Sequence, residues 1–232
     1  MATWLGFWER DNPIYVSERH RRVHYARVAD DIIAVLPASE HAAVLDYGCG
    51  EALEAGRIAE RVGRLYLYDA SRPLRARLLL RFKEAARIAV LDEAGLAACA
   101  PDSLDLIVVN SVIQYLSRAE LAELLGRWRG WLKPGGALVL ADVVPPGPQA
   151  VEDATALLAT ARRHGFLAAA LWGLVKAALS DYRTLRRQAG FSTYGEAEML
   201  ALLGEAGFSA RRRDANFGFN PARMTFIATR PA

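Results

Sequence analysis

The hydrophobic pattern divides the chain into short apolar runs and longer amphipathic stretches. From about Ser17 to Leu36 the apolar residues Val23, Ala26, Val28, Ile32, Ile33 and Leu36 return at helical intervals, and Pro37 ends the pattern. This predicts an N-terminal helix. AVLDYG is next, a β-rich apolar run stopped by glycine, and EALEAGRIAERVG follows as a helix closing at Gly63. The alternation repeats through LYLYD and a helix from about Ser71 to Ala86, then RIAVLD and a short irregular stretch, then LDLIVVN and a helix from about Ser117 to Trp131. KPGGALVLADVV supplies a fifth strand after a Pro-Gly-Gly turn. These runs are nearly all apolar rather than alternating, so both faces of each strand are covered, as in a parallel sheet layered by helices.

Beyond Pro145, Pro146 and Pro148 the rhythm changes, and roughly Val151 to Arg187 reads as helix without strand signals. A helix near Glu196 to Glu205 then precedes strands from about Phe208 to Asp214 and Arg223 to Thr229, and their hairpin-like connection predicts an antiparallel last pair. The chain therefore reads as an N-terminal helical cap (1–40), a sheet domain (41–145 and 193–232) and a helical insertion (146–192). The insertion's apolar run from Phe166 to Leu179 holds Lys176 and is shorter than the roughly 20 residues of a spanning helix. It is expected to be a lid over a hydrophobic pocket, a patch resting on a membrane surface, or a core or dimer seam.

Composition narrows the class. The 232 residues are 53% hydrophobic and 24% charged, which describes one globular domain with a real core. A net charge of +3 is too small a surplus to indicate a polyanion partner, and Arg211–Arg213 reads as a solvated strand edge. Cys49 and Cys99 are too few for a disulfide framework and form no metal-type pair. With no recognisable secretion leader, a reducing cytoplasm is the expected setting.

The chemistry concentrates where the first strand ends. In LDYGCGEAL, Gly48 and Gly50 let the backbone approach a ligand while helix N-terminal amides face it. A dinucleotide turn requires a small residue at the place held by Leu53. Asp46, two residues ahead of Gly48, would repel a pyrophosphate and attract an ammonium or sulfonium. Asp69 ends the second strand 21 residues after Gly48, where such sheets place an acid against ribose hydroxyls. Either aspartate alone could simply cap a helix; together with the glycines they specify a site.

With Asp46, Gly48, Gly50 and Ala52 the sequence resembles the class I S-adenosylmethionine-dependent methyltransferases over roughly His41–Val144 and Glu196–Arg230. The resemblance implies a Rossmann-like, mostly parallel seven-stranded sheet with an antiparallel last strand and helices on both faces. It implies S-adenosylmethionine as cofactor, Asp69 with the adjoining Ala70 at the ribose, and Asp92 with Glu93 near the adenine amino group. Asn110, Ser111 and Gln114 would face the methionine portion, Tyr15 would approach from the N-terminal segment, and Cys49 contributes as a small turn residue rather than a nucleophile. Methyl transfer is a displacement in which positioning supplies much of the rate, and a base helps where the acceptor loses a proton. Tyr15, His20, His24, Tyr25, Asp142 and His164 are candidates for that role, with His24 and Asp142 preferred for their place at the cofactor end of the sheet. His20 and His24 lie one helical turn apart, but no third ligand marks a metal site. The acceptor is expected to be a small, hydrophobic or lipid-like molecule. Nucleic acid is the runner-up, although Asn110 is followed by Ser-Val-Ile rather than the Pro-Pro-aromatic of base-amine methylation. A non-catalytic nucleotide-fold binding protein is a third reading.

Overall fold

The computed structural model describes residues 15–179 and 192–232. One sheet contains β1 (Ala43–Tyr47), β2 (Arg64–Tyr68), β3 (Ile88–Leu91), β4 (Leu104–Asn110), β5 (Leu132–Val143), β6 (Ser209–Arg213) and β7 (Met224–Thr229). Their order is β3-β2-β1-β4-β5-β7-β6, and only β7 runs against its neighbours. The expected parallel sheet with an antiparallel final pair is therefore present.

Alternate residues of each strand feed two cores. Val44, Leu65, Leu67, Leu106, Val108 and Val139 pack beneath α1 (Glu18–Ile33), α2 (Ala55–Ala59) and α3 (Arg72–Phe82). Leu45, Ile107, Val109, Leu138 and Leu140 face α4 (Glu93–Ala97), α5 (Arg118–Trp131) and α8 (Glu196–Glu205), with Trp128 fully buried at their centre. Helix starts follow local chemistry. Ser17 caps α1, Ser71 caps α3 ahead of Pro73, and Ser117 with Glu120 forms a capping box on α5. The helix expected across EALEAGRIAERVG is confined to Ala55–Ala59, because the chain first turns through Ala52 at φ +45.

The helix expected from Val151 to Arg187 is instead broken. Its described part forms α6 (Ala150–His164) and α7 (Leu167–Leu179), separated by Gly165 in the left-handed conformation at φ +74; the stretch from 180 to 191 lies outside the described residues. Glycine adopts that conformation without the steric cost of a Cβ, which the helical periodicity of the flanks conceals. The hairpin packs on the start of α1, where Phe166 and Ala170 meet Val16, Leu157 and Leu158. His20 stacks on Phe166 with ring centroids 5.1 Å apart. Among the described residues no helix is long and apolar enough to cross a membrane.

Candidate active site

The carboxyl ends of β1, β2, β4 and β5 converge on one region. After β1 the chain doubles back so tightly that the amides of Gly48 and Cys49 both donate to the Tyr68 carbonyl, at 2.7 and 3.0 Å. Gly48 (φ +84) and Gly50 (φ +57) make this bend possible. A Cβ at Gly48 would stand 2.3 Å from Val112 Cγ2, and one at Gly50 would stand 2.6 Å from the Tyr25 hydroxyl. The Cys49 thiol is buried, which with the charges of Asp46 and Asp69 pushes its pKa well up, so it remains a neutral packing group.

Asp69 braces the bend from β2. Its carboxylate accepts from the Gly50 amide at 3.0 Å and from the Ser71 amide at 2.9 Å. The buried Arg75 donates to the Asp69 carbonyl at 2.5 Å and pairs with Glu93 at 2.9 Å. Ala70 lies between these anchors, half-buried. Asp92 and Glu93 are exposed, and Asp92 uses one oxygen to cap α4 through the Gly95 amide at 2.8 Å.

Asp46 is nearly buried, and no described residue donates a hydrogen bond to it. Burial, and then the charge of Asp69, raise its carboxyl to about 7. Two more acceptors stand unpartnered at the end of β4, the buried Asn110 Oδ1 and Gln114 Oε1, while Gln114 Nε2 donates to the Ser111 carbonyl. Ser111 and Asp142 are both left-handed, at φ +56 and +58, an unusual conformation for residues other than glycine and one that clusters at functional sites. The Ser111 hydroxyl donates to Asp142 Oδ2 at 2.7 Å. Asp142 lies where the β5–β7 register shifts, so its side chain leaves the strand plane. Its amide donates to Asn216 Oδ1 at 3.2 Å, and Asn216 is held in turn by Thr225 at 2.8 Å. Burial pushes the Asp142 carboxyl up, against the opposing pull of Ser111, Arg223 and Asn216.

The N-terminal helix contributes an aromatic cluster beside the bend. The Glu51 amide donates to the Tyr25 hydroxyl at 2.8 Å, and that hydroxyl is hydrogen-bonded to Tyr15, whose own pKa burial raises to about 12. His24 packs against both rings and is lowered to about 4, chiefly by burial and then by the charge of His20. The sequence reading missed Arg75, Val112 and Asn216. Asn216 carries the signal of a turn former, and its bond to Asp142 spans 74 residues of sequence. A separate cleft of about 610 Å³ is lined in part by Val35, Leu36, Arg211 and Arg213 and holds none of these groups.

A family profile described as a methyltransferase domain matches residues 44–136, from β1 into the turn of β5. The chain belongs to the class I S-adenosylmethionine-dependent methyltransferases. An uncharacterized methyltransferase of Mycobacterium tuberculosis strain H37Rv, Rv0089, is 31% identical over 125 residues, covering 53% of this chain and 60% of that protein. The trans-aconitate 2-methyltransferase of Azoarcus sp. is 32% identical over 189 residues, covering 74% of this chain and 66% of that one. A solved Haloferax volcanii complex of the Trm112 activator with a putative methyltransferase aligns over 100% of both chains at TM-score 0.63 and 15% identity, a likeness of fold. The family's cofactor combines a sulfonium, an ammonium and a ribose. The structure offers matching groups: a glycine bend packed against Val112 and Tyr25, the acid Asp69 after β2, and three acceptors without a protein donor in Asp46, Asn110 and Gln114. The acceptors Asp46, Asn110 Oδ1 and Gln114 Oε1 suit a cation bearing N–H groups.

Proposed function

We propose that the chain transfers a methyl group from S-adenosylmethionine to a small acceptor that has an apolar body and an O–H or N–H at its reactive end. The observation that carries this reading is the gathering of Asp46, Asn110 Oδ1 and Gln114 Oε1, acceptors without protein donors, beside a glycine bend braced by Asp69. When bound, the cofactor supplies an electrophilic methyl on sulfur. The protein's part is placement. Asp69 with Ala70 meets the ribose, Asp92 and Glu93 border the adenine, and the bend of Gly48, Cys49 and Gly50 fits the backbone closely to the nucleoside. Asn110, Ser111 and Gln114 hold the amino-acid end.

Asp142 is the group best placed to take the acceptor's proton. It stands at the end of β5, two strand spacings or about 10 Å from β1, and burial raises its basicity toward the working range. Ser111 and Asn216 fix its orientation. His24, held neutral within the Tyr15–Tyr25 cluster, is poorly basic and serves instead to shape the wall over Glu51. The cap helix α1 and the insertion helix α6 cover the site. Asp153 of α6 is anchored to the buried Arg223 at 2.6 Å and to Asn220 at 2.8 Å, which fixes that cover to the β6–β7 connection.

Calorimetry with S-adenosylmethionine and its demethylated product, followed by labelled-methyl transfer to a panel of hydroxyl- and amine-bearing amphiphiles, tests the proposal. Asp142→Asn should lower kcat by about a hundredfold while leaving cofactor affinity nearly unchanged. A protein that binds neither cofactor form would be a scaffold.

A further inference from the structure

Helix α7 directs its apolar residues two ways. Ala170, and Phe166 just ahead of the helix, are buried toward α6 and α1. Leu167, Leu171 and Val175, spaced every four residues, form an outer row with Trp172 beside it; their exposures are 40%, 50%, 46% and 61%. The large side chains of this face therefore point to solvent, not into the acceptor site. A contiguous apolar helix face left in water marks a contact surface.

Charge indicates the partner. Helix α7 has no acidic residue in its sequence, Lys176 Nζ lies 5.5 Å over the Trp172 ring, and exposed Arg162 and Arg163 end the adjoining α6. Neither arginine forms an ion pair with a described residue. The acids of α6, Glu152 and Asp153, sit at its opposite end, about 15 Å away along the axis. Aliphatic residues and an indole bordered by cations match the boundary between acyl chains and phosphate headgroups. A second copy of this chain fits less well, because a two-fold contact through α7 would bring its cations near their own copies with no acid of the helix to offset them.

We propose that α7 docks the protein on anionic lipid bilayers. The contact connects to the glycine bend through α1: Val16, just ahead of that helix, fills the space opposite Gly173, where a Cβ would stand 2.4 Å from Val16 Cγ1, and Tyr25, about 13 Å further along, accepts from the Glu51 amide. Docking does not depend on which acceptor is methylated.

Sedimentation of the full chain with vesicles tests it. Binding is expected to vesicles of phosphatidylglycerol and phosphatidylcholine in equal amounts, with loss of binding at high salt and on phosphatidylcholine alone. Trp172→Glu should weaken binding by about tenfold or more, and Lys176→Glu should weaken it on the anionic vesicles. Both variants should keep the parental Tm, since the face is already exposed. Absence of parental binding, binding indifferent to both substitutions, or a large fall in Tm for Trp172→Glu would overturn the proposal. Light scattering that shows a dimer broken by Trp172→Glu would overturn it in favour of a second copy.

Discussion

In the proposed cofactor site, Asp46 would link protons to both ligand binding and stability. The free protein holds this acid near 7, and a bound sulfonium or ammonium favours its carboxylate form. Cofactor affinity should therefore rise as pH increases through 7, with a proton released on binding. Calorimetry at pH 6 and pH 8 in buffers of differing ionisation enthalpy measures both, and Asp46→Asn should flatten the dependence. For the unliganded fold the sign reverses. A carboxyl raised from its ordinary 3.8 contributes stability at low pH that is lost as pH rises through 7, so Asp46→Asn should gain Tm relative to the parent between pH 5 and pH 8. His24 works oppositely: lowered to about 4, its neutral burial stabilises above 6.5 and that contribution disappears as pH falls through 4. Gly48→Ala meets both an unfavourable φ of +84 and Val112 at 2.3 Å. It should weaken cofactor binding at least tenfold by calorimetry, and adding Val112→Ala should restore only part, because the backbone cost of about 1 kcal/mol or more remains.

At the scale of elements, α1 is tied to the glycine bend by two polar contacts at Glu51, whose amide donates to the Tyr25 hydroxyl at 2.8 Å and whose carboxylate pairs with Arg21 at 2.7 Å. Tyr25→Phe removes the oxygen that accepts from the Glu51 amide and should cost about 1–3 kcal/mol in denaturant unfolding, with a several-fold rise in the Kd for cofactor. An unchanged Kd would reduce α1 to a passive cover. Most elements were legible in one dimension, because apolar strand runs and Ser caps act within a few residues; the turn expected at Pro134–Gly136 is instead part of β5, with Gly135 at φ +78, and the stretch after β3 expected to be irregular is the helix α4. Nor was the insertion legible. Its periodicity continues across Gly165, and only the left-handed backbone there shows that α6 and α7 fold back on one another.

Across the whole molecule, the seven strands form a single platform whose two cores are filled by alternate residues of the same strands. Trp128→Ala, emptying the centre of the α5 side and removing the ring that packs on Tyr47 just ahead of the bend, should cost about 3–5 kcal/mol of stability in denaturant unfolding. The candidate site depends on this platform because its groups arrive from far apart in the chain: Asp46 from β1, Asp69 just after β2, Asn110 from β4, Asp142 from β5 and Asn216 from the β6–β7 connection.

The amino-acid sequence alone determined the sheet class, the glycine bend and the acids at its sides, since hydrophobic period and turn chemistry are local properties. It also pointed to a cationic ligand through Asp46, two residues from Gly48, while the charge that this acid carries is set by its burial in the fold. Only the tertiary structure decided that Asp142 meets Ser111 and Asn216, that His24 is buried to neutrality, and that α7 turns Trp172 outward. Those outcomes depend on which distant segments exclude water from one another, and burial of that kind is a property of packing, with no signature in the spacing of residues along the chain.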